Sequence, residues 1–349
     1  MTRFHVPYQS GNESKYIQQL IETGTHFSGD GVFTEKCTKL LETLTKSKVL
    51  LTTSCTHALE MAAILIDVQA GDEIIMSPFT FSSTANAFEL RGGKIVYCEI
   101  RSDNLNIDER LIEDCITPKT KAIVPMHYGG VGCNMNAICE IAKKHNLFVI
   151  EDAAQCIDAY QNQQHLGTFG DIGCISFHET KNIHCGEGGA ILVNNEALRE
   201  RAEIIREKGT NRSQFLRGEI PFYQKVDIGS SYLMSELNAA FLWGQLQDLE
   251  KVTTARLQSW NRYYDFFKTT NFPELKFAQG SKGHNGHIFW VISKNRNTNA
   301  SHAFLGHYQL LENSDQWKVA NSTTQLMRLS LEPENVNTVL VDLKQHLPT

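Results

Sequence analysis

Five short apolar runs, each followed by a polar turn and then by enough chain for a helix, constrain this sequence more than any other feature. They are Val49-Leu-Leu-Thr52, Glu73-Ile-Ile-Met76, Lys94-Ile-Val-Tyr97, Ala122-Ile-Val-Pro125 and Leu147-Phe-Val-Ile150. Runs of this kind, without strict apolar-polar alternation, read as strands buried on both faces. The chain between them is long enough for crossover helices. The expected fold class is therefore α/β, with a mostly parallel central sheet covered by helices on both faces. Ile172 to Phe177 and Ala190-Ile-Leu-Val193 add two further strand candidates. After Leu237 the pattern changes to amphipathic helices, Asn238 to Leu249 and Arg256 to Phe267, followed by the strand-like Ile288 to Ile292. A large domain over residues 1–237 and a smaller C-terminal α/β domain over 238–349 are expected.

Charge and cysteine usage narrow the classes of function. A net charge of -6 and a pI near 6.1 supply no field that would draw nucleic acid or an anionic membrane surface. No apolar run approaches the length of a membrane span. The nine cysteines form no Cys-x-x-Cys pair and no zinc-like Cys/His spacing, and no signal-like segment precedes them. They read as reduced thiols of a cytoplasmic protein. His5, His127, His178 and His184 fit no standard metal spacing, so no metal is expected.

In a sheet of this class ligands gather beyond the carboxyl ends of the strands, so the polar residues after each run carry the functional reading. Ser54-Cys55-Thr56 opens the helix Ala58 to Ile66, where unpaired backbone N–H groups and hydroxyls can gather around an anion. On this segment alone, plain N-capping by Ser54 or Thr56 is the simpler reading. Ser77 to Asn86 places Phe79 and Phe81 in a polar loop, where either ring suits stacking on a flat cofactor or ordinary core packing. Asp152 follows the strand ending at Ile150, and a buried carboxylate there needs a positive partner. Lys181 lies on the connection between the last two strand candidates, just before Gly186, Gly188 and Gly189. A lysine in such a loop is ordinarily solvated, yet here one sheet offers a phosphate cradle, an aromatic plate, a strand-end carboxylate and a strand-end lysine. Pyridoxal phosphate requires that set: the lysine binds it covalently, the carboxylate keeps its ring nitrogen protonated, and the helix terminus holds its phosphate. No Gly-x-Gly-x-x-Gly or Walker-type Gly-Lys-Ser/Thr points to a dinucleotide or nucleoside triphosphate instead.

At these residues the chain resembles the sugar aminotransferases of the DegT/DnrJ/EryC1/StrS family, fold type I pyridoxal phosphate enzymes. The resemblance covers roughly residues 3 to 290 and resumes after 300. It implies that Lys181 is the catalytic, cofactor-anchoring lysine, that Ser176 binds the cofactor phosphate, and that Asp152 pairs with the ring nitrogen while Gln155 meets the ring hydroxyl side. It further implies that Cys55 and Thr56 contact the phosphate and that Phe81 stacks on the ring. Relatives with histidine at the lysine position act as dehydratases, so Lys181 favours transamination.

Arg206 to Phe215 and Asp227 to Leu237 resemble the members that act on a thymidine-diphosphate 4-keto-6-deoxyhexose. The wider family carries Asn at Ser231 and Arg at Leu233, the Asn reaching the cofactor phosphate of the neighbouring subunit. Here Ser231 keeps a hydroxyl for that phosphate and Leu233 carries no charge. Arg212 is expected on the substrate diphosphate, which a planar guanidinium fork suits; for Lys208, Arg212 and Arg217 the plainer reading is a solvated basic face. The resemblance thus implies a homodimer with shared sites, glutamate as amino donor, and dTDP-4-keto-6-deoxy-D-glucose as acceptor for O-antigen or other surface polysaccharide. Alternatives are a 3-keto sugar, a GDP-4-keto-6-deoxymannose, or a non-catalytic binding member of the fold. Relatives also carry a strand and a loop between the equivalents of Lys294 and Ser301, where this chain has only Asn295 to Ala300; a segment left out of the numbering is expected, since deletion would unpair a sheet.

Overall fold

The computed structural model describes residues 5–24, 26–270, 275–293, 303–305 and 326–346. Among them the apolar runs form β1 (Lys48–Thr52), β2 (Glu73–Met76), β3 (Lys94–Tyr97), β4 (Thr120–Val124) and β5 (Phe148–Asp152). A small hairpin, β6 (Tyr160–Gln161) with β7 (Gln164–His165), precedes β8 (Ile172–Ser176) and β9 (Gly189–Val193). The large sheet has the order β1-β9-β8-β5-β4-β2-β3. β8, β5, β4, β2 and β3 run parallel to one another. β9 runs antiparallel to both β8 and β1. The sheet is therefore mostly parallel, as the apolar runs require.

Side-chain alternation shows why each strand is apolar on both faces. Leu50, Ile74, Val124, Ile150, Cys174 and Ile191 share one buried cluster with α3 (Cys55–Leu65), α4 (Ser82–Glu89) and α6 (Arg199–Arg206). Their neighbours Val49, Leu51, Ile175 and Leu192 turn the other way, toward α1 (Glu13–Thr23), α2 (Val32–Thr45) and α8 (Glu236–Leu246). Ile75, Ile123 and Val149 meet α5 (Met135–His145) on that second side. Each fully buried Ile, Leu or Val contributes about 1.5–3 kcal/mol, so a one-residue slip in any of these strands is strongly disfavoured.

The helices expected after Leu237 are α8 and α9 (Leu249–Thr269), the latter longer than its sequence pattern indicated. α8 begins the smaller region in sequence but packs on α1 and α2, with Ala239, Ala240 and Leu242 in the large sheet's core. Its first residue, Glu236, is fully buried and accepts from the N–H groups of Gly31 (3.1 Å), Phe33 (2.8 Å) and Thr34 (2.9 Å) at the start of α2. A second, antiparallel sheet of order β10-β11-β13-β12 comprises Leu275–Phe277, Phe289–Ser293, Leu326–Leu329 and Ala303–Leu305. α9 packs on the last helix, α10 (Pro333–His346). The core of this region also takes in Phe79, Met126 and Tyr128 from the large sheet's loops. Residues 295–300, where a missing segment was expected, lie outside the described residues.

One glycine sets the spacing between the sheet and α3. A Cβ on Gly189 would lie within 2.5 Å of the Ser54 carbonyl carbon and would collide with the Cys55 nitrogen. Both are backbone atoms, so neither can swing away. Gly189→Ala should lower the unfolding free energy by about 1–3 kcal/mol, read as a shift in the urea midpoint at unchanged slope. A midpoint equal to wild type would show that this close approach is not required.

Candidate active site

The N-terminus of α3 forms one wall of a cavity of about 580 Å³. Ser54 caps the helix in extended conformation, its Oγ accepting from the N–H of His57 at 3.1 Å. The capping reading therefore holds for Ser54, while Cys55 and Thr56 both line the cavity. Thr56 Oγ1 donates to Ser83 Oγ at 2.8 Å, tying the first turn of α3 to that of α4. Burial pushes the Cys55 thiol well above its ordinary range, with the Asp152 carboxylate adding to the effect, so it presents a neutral SH. Ser176, the last residue of β8, pairs with Gly189 and also lines the cavity. Free N–H groups of a first helical turn, with hydroxyls from two elements around them, make a corner suited to phosphate.

β5 delivers two consecutive buried carboxylates, one to each side of the sheet. Asp152 faces the cavity. Its Oδ2 accepts from Thr84 Oγ1 at 2.6 Å and its Oδ1 from the Ala154 N–H at 3.1 Å. Thr84 in turn shares a 2.8 Å hydrogen bond with Thr80. Glu151 points away and accepts from Gly167 N (2.8 Å), Phe169 N (2.6 Å) and Gly170 N (2.7 Å), with His127 Nε2 at 3.0 Å. The Cys133 N–H donates to His127 Nδ1 at 3.1 Å, so the imidazole carries its proton on Nε2, toward Glu151.

Between β8 and β9 the chain folds back on itself as the lysine loop. Phe177 N donates to Gly188 O (2.8 Å), Cys185 N to Phe177 O (2.9 Å) and Glu179 N to Gly186 O (2.8 Å). Lys181 sits in this loop and lines the same cavity as Asp152. The Asn182 that follows it accepts through Oδ1 from the ring of His287, whose Nδ1 lies 2.8 Å away. Gln155 is nearly fully buried, its Oε1 accepting from Gly129 N at 2.6 Å. The two phenylalanines divide as the sequence left open. Phe79 is buried against Tyr128, ring centroids 4.8 Å apart, whereas Phe81 is 58% exposed at the cavity wall.

The structure thus gathers Cys55, Thr56, Phe81, Asp152, Gln155, Ser176 and Lys181 around one cavity. Ser231 and Arg212 do not line it within a single chain: Ser231 is exposed and bridges to Glu207, and the Arg212 guanidinium lies 3.8 Å from the Glu207 carboxylate. Lys208 and Arg217 are taken up by ion pairs with Glu207 and with Glu203 and Glu219. Of the histidines weighed as ligands, His5 binds Glu179 O, His184 binds Tyr8 O and His178 meets Thr180; among the described residues no group of three or more His, Cys, Asp or Glu could hold a metal. No described helix is long and apolar enough to cross a membrane. Sequence reasoning missed Thr84, Asn182 and His287. Thr84 stands within the polar loop singled out for its aromatics, so its signal was present; His287 lies 105 positions from its partner and gave none. Thr84→Val should destabilise the fold by about 1–3 kcal/mol, because a buried carboxylate oxygen loses its donor, whereas Thr84→Ser should retain most of the stability. Equal urea midpoints for the Val variant and wild type would show that this bond carries no net stability.

The likeness of this chain to known proteins agrees with that geometry. It is 35% identical over 239 residues to the spore coat polysaccharide biosynthesis protein SpsC of Bacillus subtilis (strain 168), covering 68% of this chain and 61% of SpsC. The chain spans about six-tenths of the length of the curated relatives it matches. In fold it is similar to the aminotransferase TlmJ of Streptoalloteichus hindustanus, with a TM-score of 0.89 at 22% identity over 99% of both chains. It is also similar to Spr1654 of Streptococcus pneumoniae in its PLP-form, with a TM-score of 0.86 at 19% identity, covering 99% of this chain and 100% of that one. Residues 7–310 match the sequence profile of the DegT/DnrJ/EryC1/StrS aminotransferase family, and the chain belongs to that family.

Proposed function

We propose that this protein is a pyridoxal-phosphate-dependent aminotransferase that moves an amino group from L-glutamate to C4 of dTDP-4-keto-6-deoxy-D-glucose, for surface polysaccharide synthesis. The observation that carries the reading is the convergence of Lys181, Asp152 and the N-terminus of α3 on one cavity. The donor set fits the cofactor: a helix N-terminus with hydroxyls for an anion, a buried carboxylate and a primary amine all line one cavity. The surface-polysaccharide context is supported by SpsC, named for a spore coat polysaccharide.

When bound, pyridoxal phosphate supplies an electron sink for charge that develops on the reacting carbon. The first-turn N–H groups of α3, that of Thr56 among them, and the Ser176 hydroxyl would hold the phosphate, and Phe81 would cover one face of the ring. Asp152, oriented by its bonds from Thr84 and Ala154, would hold a proton at the ring nitrogen. Lys181 would anchor the cofactor, and its amine would take the proton from Cα of glutamate. In the second half of the reaction the same amine delivers a proton to C4 of the sugar. A homodimer belongs to the same proposal, with Ser231 and Arg212 serving the neighbouring cavity. The exposed Phe222, Tyr223, Val226 and Ile228, close to them in sequence, supply an apolar face for such a contact. A cytoplasmic location, expected from the cysteine usage, accompanies it.

Purified protein incubated with pyridoxal phosphate should show a visible absorption band that borohydride fixes onto Lys181, identified by peptide mapping. Lys181→Ala should lose turnover by more than about 10³-fold while still taking up cofactor. A protein that stays colourless, or a variant with wild-type turnover, would sink the assignment and favour the non-catalytic alternative. Assays with the GDP and 3-keto sugars separate the remaining acceptors.

A further inference from the structure

Resting on that reading, we propose that His287 is the specificity-determining residue for the sugar, its Nε2 accepting a hydrogen bond from a hydroxyl next to the reacting ketone. The argument begins with Asn182, whose Nδ2 donates to the Asn285 carbonyl at 3.2 Å, which fixes the amide so that Oδ1 faces His287. An amide oxygen can only accept, so the 2.8 Å contact places the ring proton on Nδ1. Nε2 is left as a bare lone pair. His287 is only 8% exposed, yet it lines the cavity.

The ring is held from both ends. The His287 N–H donates to Asn285 Oδ1 at 3.1 Å, and Asn285 Nδ2 donates to the carbonyls of Gln155 (2.9 Å) and Ile157 (2.8 Å). Burial, reinforced by the Lys181 ammonium, holds the imidazole well below its ordinary pKa and hence neutral. A neutral acceptor cannot bind a carboxylate or a phosphate; it takes an O–H or N–H donor. Its tie to the residue after Lys181 sets it at the reacting end of the cavity. Glutamate's one hydrogen-bond donor there is its amine, which is consumed in the reaction, its α-carboxylate being acceptor-only, whereas a keto sugar brings hydroxyls. A ligand lacking that hydroxyl would leave a buried acceptor unmatched, which is the stronger route to discrimination.

The test uses ¹⁵N-histidine NMR and separated half-reactions. In wild type, the non-protonated Nε2 resonance of His287 should move when dTDP-4-keto-6-deoxy-D-glucose is added, with or without cofactor loaded. His287→Phe should raise KM for the keto sugar about tenfold more than it changes KM for glutamate, and His287→Gln, which keeps an acceptor, should recover most of the loss. An Nε2 resonance that ignores the sugar in an active, coloured protein overturns the assignment alone, and so does a Phe variant that slows both half-reactions equally. A protein that never colours but shows the Nε2 shift would overturn the aminotransferase reading and leave the acceptor standing.

Discussion

The rest of the site depends on burying two carboxylates side by side at the end of β5. Ionised groups cost several kcal/mol each to desolvate unless donors surround them. Strand alternation solves the problem by sending Glu151 and Asp152 to opposite faces of the sheet. Glu151 is satisfied by three backbone N–H groups of the 167–170 turn and by His127. That leaves it structural: it folds the turn before β8 and so fixes where β8 ends. Asp152 keeps fewer protein donors, Thr84 and Ala154, and looks into the cavity. Its capacity to accept is therefore only partly used, as a group reserved for a ligand requires.

From the end of β8 the geometry propagates through tight backbone approaches. Ser176 opposes Gly189, and Gly189 lies against the α3 N-terminus, so the lysine loop and the anion corner are spaced by one missing side chain. A Cβ on Gly188 would lie 2.8 Å from the Met234 methyl carbon and would collide with Cys185 Sγ, which draws the loop onto the segment before α8. The smaller sheet joins in through Asn285, whose amide reaches the carbonyls following Asp152. The cavity is thus assembled from segments more than 100 positions apart.

This explains what the sequence revealed and what it withheld. β2 and β3 fall on the residues their apolar runs mark, and β1, β4, β5, β8, β9 and β11 within one or two, because burial on both faces leaves a local imprint. Lys181, Asp152 and Ser176 could be singled out because strand ends carry the ligand side in this class of sheet, and all three line the cavity. Phe79 and Phe81 were told apart only through the resemblance, since local pattern does not say which of two nearby rings turns inward; Phe79 is the one that packs on Tyr128. α8 reads as the start of a new region because its helical pattern begins there, yet Glu236 binds it to α2 across more than 200 residues. His287 was invisible for a related reason: its role follows from an amide oriented by a carbonyl in another segment, and no local pattern encodes that.

The polar groups of the cavity also divide by how completely the protein has already used them. Arg256 lines it, but its Nε and Nη2 donate to the carbonyls of Gly286 and His287 at 3.3 and 2.9 Å, so the guanidinium is spent on holding that turn. Its remaining charge faces Glu332, which also pairs with His5. Burial holds the His287 imidazole well below its ordinary pKa and so neutral. Lys181 and Asp152 then bring opposite charges to the cavity, and among the described residues neither is committed to an ion pair. In an enclosure closed to bulk water such charges act more strongly than in water, and the neutral Cys55 thiol and His287 imidazole beside them carry no charge to compete for the ligand.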